Sequence, residues 1–315
     1  MESTGHLIAA SAVARSLNII GDRWSLLILR DIFLGRHRFE ELHKHSGTPR
    51  GTLTKRLQSL VLNGVLYRNP YQTAPTRYEY RLTDKGLDLY PVALAVWRWE
   101  IKWGGYDNSE ALPLVLRHKG CGNKLIPSYR CGECGQELSS RDISYRPGPA
   151  AAEAEPALTL GTHRRAKLNP GDRRGTDTSL FHITDAIGDR RTALVLSGAF
   201  WGLRRYDDFH RELNIATNVL ADRLKLLVEV GLFTRKSYQD SPPRYEYKAT
   251  EKAHDLYPLI VALHQWGSKW LEDKGAVLTL VHKCSQKPIR VDTVCNHCHE
   301  RLHFGDIQYA LDDDN

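Results

Sequence analysis

The sequence predicts a mainly α fold with small β wings, in which two tandem winged helix-turn-helix domains are each followed by a small Cys/His β segment. One observation is local. Residues 39–83 have the pattern of a helix, a Gly-Thr-Pro turn, a second helix and a hairpin whose last strand alternates with period two. The other is a repeat, because the Gly-Asp-Arg triplet at 21–23 and the Tyr-Glu-Tyr triplet at 78–80 return 167 positions later. A constant offset over the whole module predicts a duplicated domain.

Each element of the first copy has its own signal. Apolar residues recur at helical spacing over residues 6–18, and the Gly-Asp-Arg triplet opens the next helix. Gly64 stands where a helix C-terminus favours a left-handed residue, and Thr83 is expected to cap the helix that follows the hairpin. The second helix of the helix-turn-helix should bury a face made of Leu53, Leu57 and Leu60.

Composition shifts suggest where the domains end. A stretch rich in Pro, Gly and Ala, with basic runs and no apolar period, predicts a flexible or extended linker at 147–177. We expect winged helix-turn-helix domains at 8–105 and 178–272, and Cys/His segments at 112–146 and 276–311.

Size, charge and cysteine usage narrow the possible functions. The 315 residues suffice for two domains, the 41% hydrophobic content supports buried cores, and a net charge of +7 weakly favours an anionic partner. The first residues lack the basic region of a signal peptide, and no apolar run could span a bilayer. We therefore expect a cytoplasmic protein without membrane contact, in which the six cysteines are thiols or metal ligands rather than disulfides.

The second helix of the first helix-turn-helix has a polar outer face. If the leucines are buried, a period of 3.6 residues turns Thr54, Lys55 and Gln58 outward, and Arg50 lies at the helix start where groove-entering helices contact bases. These side chains could contact phosphates or base edges of double-stranded DNA. The hairpin adds basic residues for backbone or minor-groove contact, namely Arg68, Arg77 and Arg81. The alternative is a solvated basic helix in an interaction domain.

The second copy differs on this face. Thr217, Asn218 and Lys225 replace Arg50, Gly51 and Gln58, while Asp222 replaces Lys55 and would repel phosphates. Either this copy recognises a different half-site, with Arg244 on its wing, or it mainly serves as a dimerisation partner for the first. Arg56 and Arg223 are retained beside the buried face, where a structural salt bridge is at least as plausible as a DNA contact.

Taken together, these motifs resemble the HxlR family of bacterial winged-helix transcription regulators. The resemblance rests on Gly-Asp-Arg-Trp at 21–24, Thr-Lys-Arg-Leu at 54–57 and Tyr-Glu-Tyr-Arg-Leu-Thr at 78–83, and it covers roughly 10–105 and 178–272. The second copy departs from it at Arg191, where the first has Trp24, and at Ala253, where the first has Gly86. Members usually carry one such domain and dimerise, so the resemblance implies DNA binding by an intramolecular pseudo-dimer, with further dimerisation of chains left open.

The Cys/His segments each contain a set of metal-ligand residues. A Cys-x-x-Cys loop can place two thiolates on one tetrahedral zinc, and a further Cys and His would complete the site. Grouped by copy, the sets are His118, Cys121, Cys131 and Cys134, and then His282, Cys284, Cys295 and Cys298. The alternatives are reduced thiols in a small hairpin or a disulfide formed on purification.

Aromatic residues are concentrated on the helix after each wing. Trp97, Trp99 and Trp103 lie near Tyr90, and the second copy has Trp266, Trp270 and Tyr257. A core stripe is the simpler interpretation, and a pocket for a small-molecule effector is the alternative.

The sequence therefore predicts a DNA-binding transcriptional regulator. If the aromatic residues form an effector pocket, a small molecule would modulate this regulator. The alternative function is a protein-interaction scaffold with weak or no DNA binding. We expect no enzyme, because no catalytic triad, phosphate loop or dinucleotide fingerprint occurs at usable spacing.

Overall fold

The computed structural model describes residues 5–104, 115–155 and 180–310. Most of the linker expected at 147–177 lies outside these ranges. Among the described residues, no helix combines the length and the apolar character needed to cross a membrane.

The first copy contains the expected helix-turn-helix and hairpin. Two N-terminal helices, α1 (Gly5–Ala10) and α2 (Ala12–Ile20), precede it. Then follow α3 (Arg23–Phe33), α4 (Phe39–Ser46), α5 (Arg50–Leu62), β1 (Leu66–Thr73), β2 (Thr76–Leu82), α6 (Asp84–Leu87) and α7 (Tyr90–Trp103). Strands β1 and β2 pair antiparallel and form the wing. The single helix expected over 6–18 is instead two, because Ser11 caps α2 by accepting a hydrogen bond from the Ala14 N–H (3.3 Å).

The second copy repeats the elements from α2 onward at the same offset, and the positions equivalent to α1 lie outside the described residues. It consists of α8 (Phe181–Ile187), α9 (Arg190–Phe200), α10 (Tyr206–Leu213), α11 (Thr217–Glu229), β6 (Phe233–Asp240), β7 (Pro243–Ala249), α12 (Glu251–His254) and α13 (Tyr257–Trp270). The Cys/His segments add β3 (Val115–His118), β4 (Pro127–Cys131) and β5 (Ile143–Pro147), and later β8 (Leu278–His282), β9 (Val291–Cys295) and β10 (Ile307–Ala310). Short 3₁₀ turns lie at Ser140–Asp142 and Ala151–Glu153.

Local chemistry explains the helix boundaries. Asp22 caps α3 by accepting hydrogen bonds from the N–H groups of Trp24 and Ser25, and the expected cap by Thr83 is confirmed by its bond from the Gly86 N–H (3.1 Å). The turn between α4 and α5 requires a left-handed residue. Gly47 supplies it with φ +66°, and the second copy uses Asn214, the other residue that adopts this conformation readily.

The chain forms two compact units, and each unit takes segments from both copies. One unit comprises Met1–Asn18, Tyr129–Gly161 and Ala186–Asp292, so most of the first copy's N-terminal helices lie with the second winged helix. The other comprises Ile19–Ser128, Thr162–Asp185 and Thr293–Asn315, so most of α8 lies with the first winged helix. The compact units therefore do not coincide with the sequence copies.

Specific contacts fix the exchanged helices. In the first of these units the Ser16 hydroxyl donates to the Leu263 carbonyl (2.9 Å), joining α2 to α13. In the other, the buried Glu100 carboxylate of α7 accepts from the Ile183 N–H of α8 (2.8 Å). Glu100 is only 2% exposed, so this hydrogen bond satisfies a carboxylate that would otherwise be costly to bury.

The strands of the Cys/His segments are exchanged in the same way. Strand β3 pairs antiparallel with β10 within one unit, and β5 pairs antiparallel with β8 within the other. A tyrosine hydroxyl pair accompanies each exchange, Tyr90 with Tyr309 (3.1 Å) and Tyr145 with Tyr257 (2.9 Å).

Replacing Gly267 with Ala should destabilise the unit that contains α2 and α13. A Cβ added there would lie 2.4 Å from the Ala12 carbonyl oxygen and 2.6 Å from the Ser16 hydroxyl oxygen, so the helices must separate. We expect a loss of about 1–3 kcal/mol in the free energy of unfolding, measured by urea denaturation. The matched control is Gly51→Ala on the exposed face of α5, where a Cβ meets nothing within 4 Å and stability should rise slightly. Equal stability of the two variants would contradict the close helix packing.

Candidate nucleic-acid interface and metal clusters

Helix α5 presents the expected polar face. Its three leucines at 53, 57 and 60 are fully buried at 0% exposure, because they pack the helix onto the core of its winged helix. Thr54, Lys55 and Gln58 are all exposed on the opposite face. The Thr54 hydroxyl donates to the Arg50 carbonyl (3.0 Å), so its oxygen can still accept a hydrogen bond.

Arg50 is exposed but held by an ion pair across the turn. Its guanidinium makes two hydrogen bonds to the Glu40 carboxylate of α4, at 2.8 and 2.6 Å. This hydrogen bonding lowers the pKa of the Glu40 carboxyl and raises that of Arg50. Arg50 can therefore contact an external anion only by sharing or leaving Glu40, a partner that the helical period did not reveal.

The wing of the first copy carries two kinds of basic residue. Arg68 and Arg77 are exposed, with the Arg68 guanidinium 6.0 Å from the Tyr78 ring centroid. Arg81 instead donates to the Glu79 carboxylate (2.9 Å) on the same strand, so part of its charge is neutralised. Arg38, at the N-terminus of α4, stacks over the exposed Tyr71 ring at 4.6 Å and was missed by the sequence reasoning.

In the second copy the helix face and the wing differ in charge. Thr217, Asn218, Asp222 and Lys225 are exposed on α11. Lys225 lies 3.7 Å from Glu229 and Arg244 lies 3.8 Å from Asp207, so neither cation is fully available. The wing nevertheless exposes three further basic residues that the sequence reasoning missed, Arg235, Lys236 and Lys248. The constant offset could have found two of them, because it aligns Arg235 with Arg68 and Lys248 with Arg81.

Arg56 and Arg223 form structural salt bridges. Arg56 Nε lies 3.2 Å from the Asp22 carboxylate that caps α3, and Arg223 Nε lies 2.5 Å from Asp189 at the same position of the second copy. These pairs tie α5 to the start of α3 and α11 to the start of α9. The retained arginines therefore set the orientation of α5 and α11.

The first cluster of metal-ligand residues lies in the unit that contains the first winged helix. His118, Cys121, Cys295 and Cys298 place their ligand atoms within 4.8 Å of one another. Cys121 Sγ lies 3.8 Å from Cys295 Sγ, and Cys298 Sγ lies 3.3 Å from His118 Nδ1.

The second cluster has the same composition in the other unit. Cys131, Cys134, His282 and Cys284 again lie within 4.8 Å of one another. Cys131 Sγ lies 3.7 Å from Cys284 Sγ, and His282 Nδ1 lies 3.0 Å from Cys284 Sγ. All eight predicted residues are thus brought into clusters that could hold a metal ion.

The expected grouping of these residues by copy is wrong. His118 and Cys121 meet Cys295 and Cys298, and the Cys131/Cys134 pair meets His282 and Cys284. The physical reason is the strand exchange, because β3 pairs with β10 and β5 with β8.

The thiols of each cluster have unequal acidity. In the first, the Asn123 backbone N–H and then the His118 side chain lower the pKa of Cys121 to about 6. In the second, desolvation followed by the neighbouring Cys134 and Cys131 raises the pKa of Cys284 to about 12. Crowded thiols cannot all ionise together, and a bound divalent cation would relieve this repulsion.

Two of the aromatic residues after the first wing, Tyr90 and Trp97, line a small cavity. It has a volume of about 40 Å³ and is bordered by Arg30, Phe33, Tyr90, Trp97 and Tyr309, among others. Trp99 is instead 2% exposed and packed in the core. A few water-sized spheres fit in such a volume, so an aromatic ligand would require side chains to move.

Two segments of the chain, 19–108 and 186–275, match the HxlR-like helix-turn-helix family. The two curated relatives described next each align over less than half of this chain. An uncharacterised HTH-type transcriptional regulator of Mycobacterium bovis is 40% identical over 144 residues, which are 46% of this chain and 90% of the relative. The regulator YvaP of Bacillus subtilis, likewise uncharacterised, is 34% identical over 90 residues, covering 28% of this chain and 83% of the relative.

Solved structures show matches of similar extent. A candidate transcription factor from Pseudomonas aeruginosa is 38% identical, covers 33% of this chain and 71% of its own, and superposes with a TM-score of 0.29. A second candidate transcription factor, PA1607, is 37% identical and covers 41% of this chain and 89% of its own, with a TM-score of 0.37.

Proposed function

The chain belongs to the HxlR-like helix-turn-helix family, and from this premise we propose that it is a transcriptional regulator that binds double-stranded DNA through its winged helices. The observation that carries the proposal is the outward face of α5, where Thr54, Lys55 and Gln58 are exposed while the leucines of the same helix are buried. A polar, basic helix face of this width suits the major groove.

The two winged helices are proposed to act as an intramolecular pseudo-dimer. Support comes from the exchange of N-terminal helices and strands between the copies, the kind of reciprocal contact that a twofold pair makes. If the copies form such a pair, α5 and α11 would enter successive major grooves about 34 Å apart.

We assign the two copies unequal roles on DNA. In the first copy, Arg50, Thr54, Lys55 and Gln58 contact bases and phosphates, and Arg68, Arg77 and Arg81 contact the backbone from the wing. In the second, the exposed Asp222 weakens the helix contact, so that the basic wing residues supply most of the binding, helped by Thr217, Asn218, Lys225 and Arg244. Asp222 is also what favours the alternative function for this copy, a docking module with little DNA contact.

The direct test is a titration of the protein against duplexes from upstream of its own gene. Affinity should fall steeply between 50 and 200 mM salt, because phosphate contacts release counterions, roughly in proportion to their number. Binding that is absent at low salt, or insensitive to salt, would contradict the proposal.

Glu40→Gln is expected to strengthen DNA binding. The carboxylate holds Arg50 by two hydrogen bonds, and the amide has no charge to compete with a phosphate. We expect roughly threefold to tenfold tighter binding and a steeper salt dependence by about one counterion. The matched control is Glu251→Gln, which likewise removes the exposed carboxylate partner of an arginine, Arg141 (2.9 Å), but of an arginine to which no DNA contact is assigned. Weaker binding by Glu40→Gln would show that Arg50 does not contact DNA.

We further propose that zinc occupies both Cys/His clusters. Three thiolates and one imidazole are the ligands of a closed tetrahedral zinc site. Zn–S bonds of about 2.3 Å in tetrahedral geometry place sulfurs about 3.8 Å apart, which agrees with the 3.8 and 3.7 Å between cysteine sulfurs in the two clusters. Each ion would be structural, because the four side chains leave no position open for substrate.

An effector is a separate proposal, supported by the cavity beside Tyr90 and Trp97. A ligand that opens this cavity would shift α7 against α3 and so alter the position of the wing. A thermal-shift screen of small aromatic metabolites tests it, and a screen in which no compound changes the melting temperature would argue against it.

A further inference from the structure

The two Cys/His clusters share a feature that their amino-acid composition does not reveal. Each cluster takes two ligands from the first copy and two from the second. In one, the ligands Cys121 and Cys295 are separated by 174 positions, and in the other Cys131 and Cys284 are separated by 153.

The strand pairing supports the same exchange independently of the sulfur positions. In the register of β3 with β10, His118 stands opposite Ile307 of the second copy. In the register of β5 with β8, His282 stands opposite Ile143 of the first copy. Backbone hydrogen bonds of two different strand pairs thus fix each ligand histidine against the other copy.

Further contacts fix the ligand loops against their exchanged partners. In one unit the Gly132 N–H of the Cys131–Cys134 loop donates to the Arg290 carbonyl (2.8 Å). In the other, the Lys119 N–H donates to the Asp306 carbonyl (2.8 Å). Each bond attaches a ligand loop of the first copy to a segment of the second copy that lies outside its ligand loops.

We propose that the metal sites are composite, so that each ion joins the first copy of the chain to the second and neither copy has a complete site of its own. This inference rests on the proposed zinc. Two ions per chain then act as two cross-links between the halves, each closing a loop of more than a hundred residues in the unfolded chain, where loop closure is entropically most costly. Zinc loading thereby depends on correct assembly of both copies.

Four double variants of the full-length protein distinguish composite sites from sites made within one copy. All four lose two thiols. Each of the first two variants removes two ligands from a single composite cluster. These variants are Cys121→Ser/Cys298→Ser and Cys134→Ser/Cys284→Ser. Each of the other two removes two ligands from a single copy, and so one ligand from each composite cluster. These variants are Cys121→Ser/Cys134→Ser and Cys284→Ser/Cys298→Ser.

Zinc per chain is measured by elemental analysis after purification without added metal, with circular dichroism to follow the fold. Wild type should hold two ions. The first pair of variants should keep one ion each, because one composite site is intact, and the second pair should keep none, because each variant damages both sites. Substituted cobalt should give the visible absorption of a tetrahedral thiolate site at half the wild-type amplitude in the first pair only.

The opposite result would overturn the inference: one ion in the same-copy variants and none in the same-cluster variants. Loss of both ions from all four variants would also overturn the inference, because two complete sites in separate compact units should lose their ions independently. Less than half an equivalent of zinc in the wild type would instead defeat the zinc proposal, while DNA binding would be tested independently by the titration.

Discussion

Lys55→Glu is expected to bind duplex DNA about tenfold to a hundredfold more weakly than the wild type. Lys55 is exposed on the outward face of α5, so the substitution would turn the proposed phosphate contact into a repulsion without disturbing the core. The slope of log affinity against log salt should become shallower by about one to two counterions. The measurement is a fluorescence-anisotropy titration with one duplex at two or more salt concentrations.

The second copy provides a reciprocal variant at the corresponding position. Asp222→Lys gives α11 the charge that α5 has, and we expect it to bind DNA more tightly. Both variants should unfold at the wild-type temperature, because both positions are exposed. A Lys55→Glu protein that binds as tightly as wild type would refute the assignment of α5 as the reading helix. An unchanged Asp222→Lys protein would indicate that α11 does not approach the duplex.

Removal of zinc is expected to lower the midpoint of thermal unfolding by at least about 10 °C. Structural zinc contributes its binding free energy to folding, and a loss of several kcal/mol shifts the midpoint of a domain of this size by this amount. The change is induced with a strong chelator and followed by calorimetry, with metal content measured on the same sample. The effect should reverse when zinc is returned.

A chelator already saturated with zinc is the matched control for this experiment, because it reproduces the added compound without removing the ion. Magnesium should not restore the midpoint, since it prefers oxygen ligands to thiolates. An unchanged midpoint in protein shown to be free of zinc would mean that the clusters do not stabilise the fold.

Much of the fold could be predicted because its determinants are local. The period of the leucines predicted which face of α5 is buried, and the position of Thr83 alone identified it as a helix cap. The local pattern did not predict the break between two helices at Ser11, where a side-chain cap begins a new helix although the apolar period continues. It also did not reveal Glu40 as the partner of Arg50, because that contact crosses the turn between two helices.

The exchange between the copies could not be predicted, for a different reason. The two Cys/His segments are close repeats, so β3 is chemically suited to pair with β5 of its own copy or with β10 of the other. The same holds for the ligands, since either grouping gives three cysteines and one histidine at each site. Only tertiary structure selects between pairings that are nearly equivalent in sequence, as in domain swapping generally.

Sequence-specific contact between one chain and two adjacent grooves of DNA is tested most directly by genomic footprinting with the purified protein. We expect protected regions that contain two unlike half-sites about one helical turn apart, with one chain bound per site. Lys55→Glu should lose protection first at the half-site contacted by the first copy. Protection of no specific site, with only uniform binding that disappears at physiological salt, would contradict such contact.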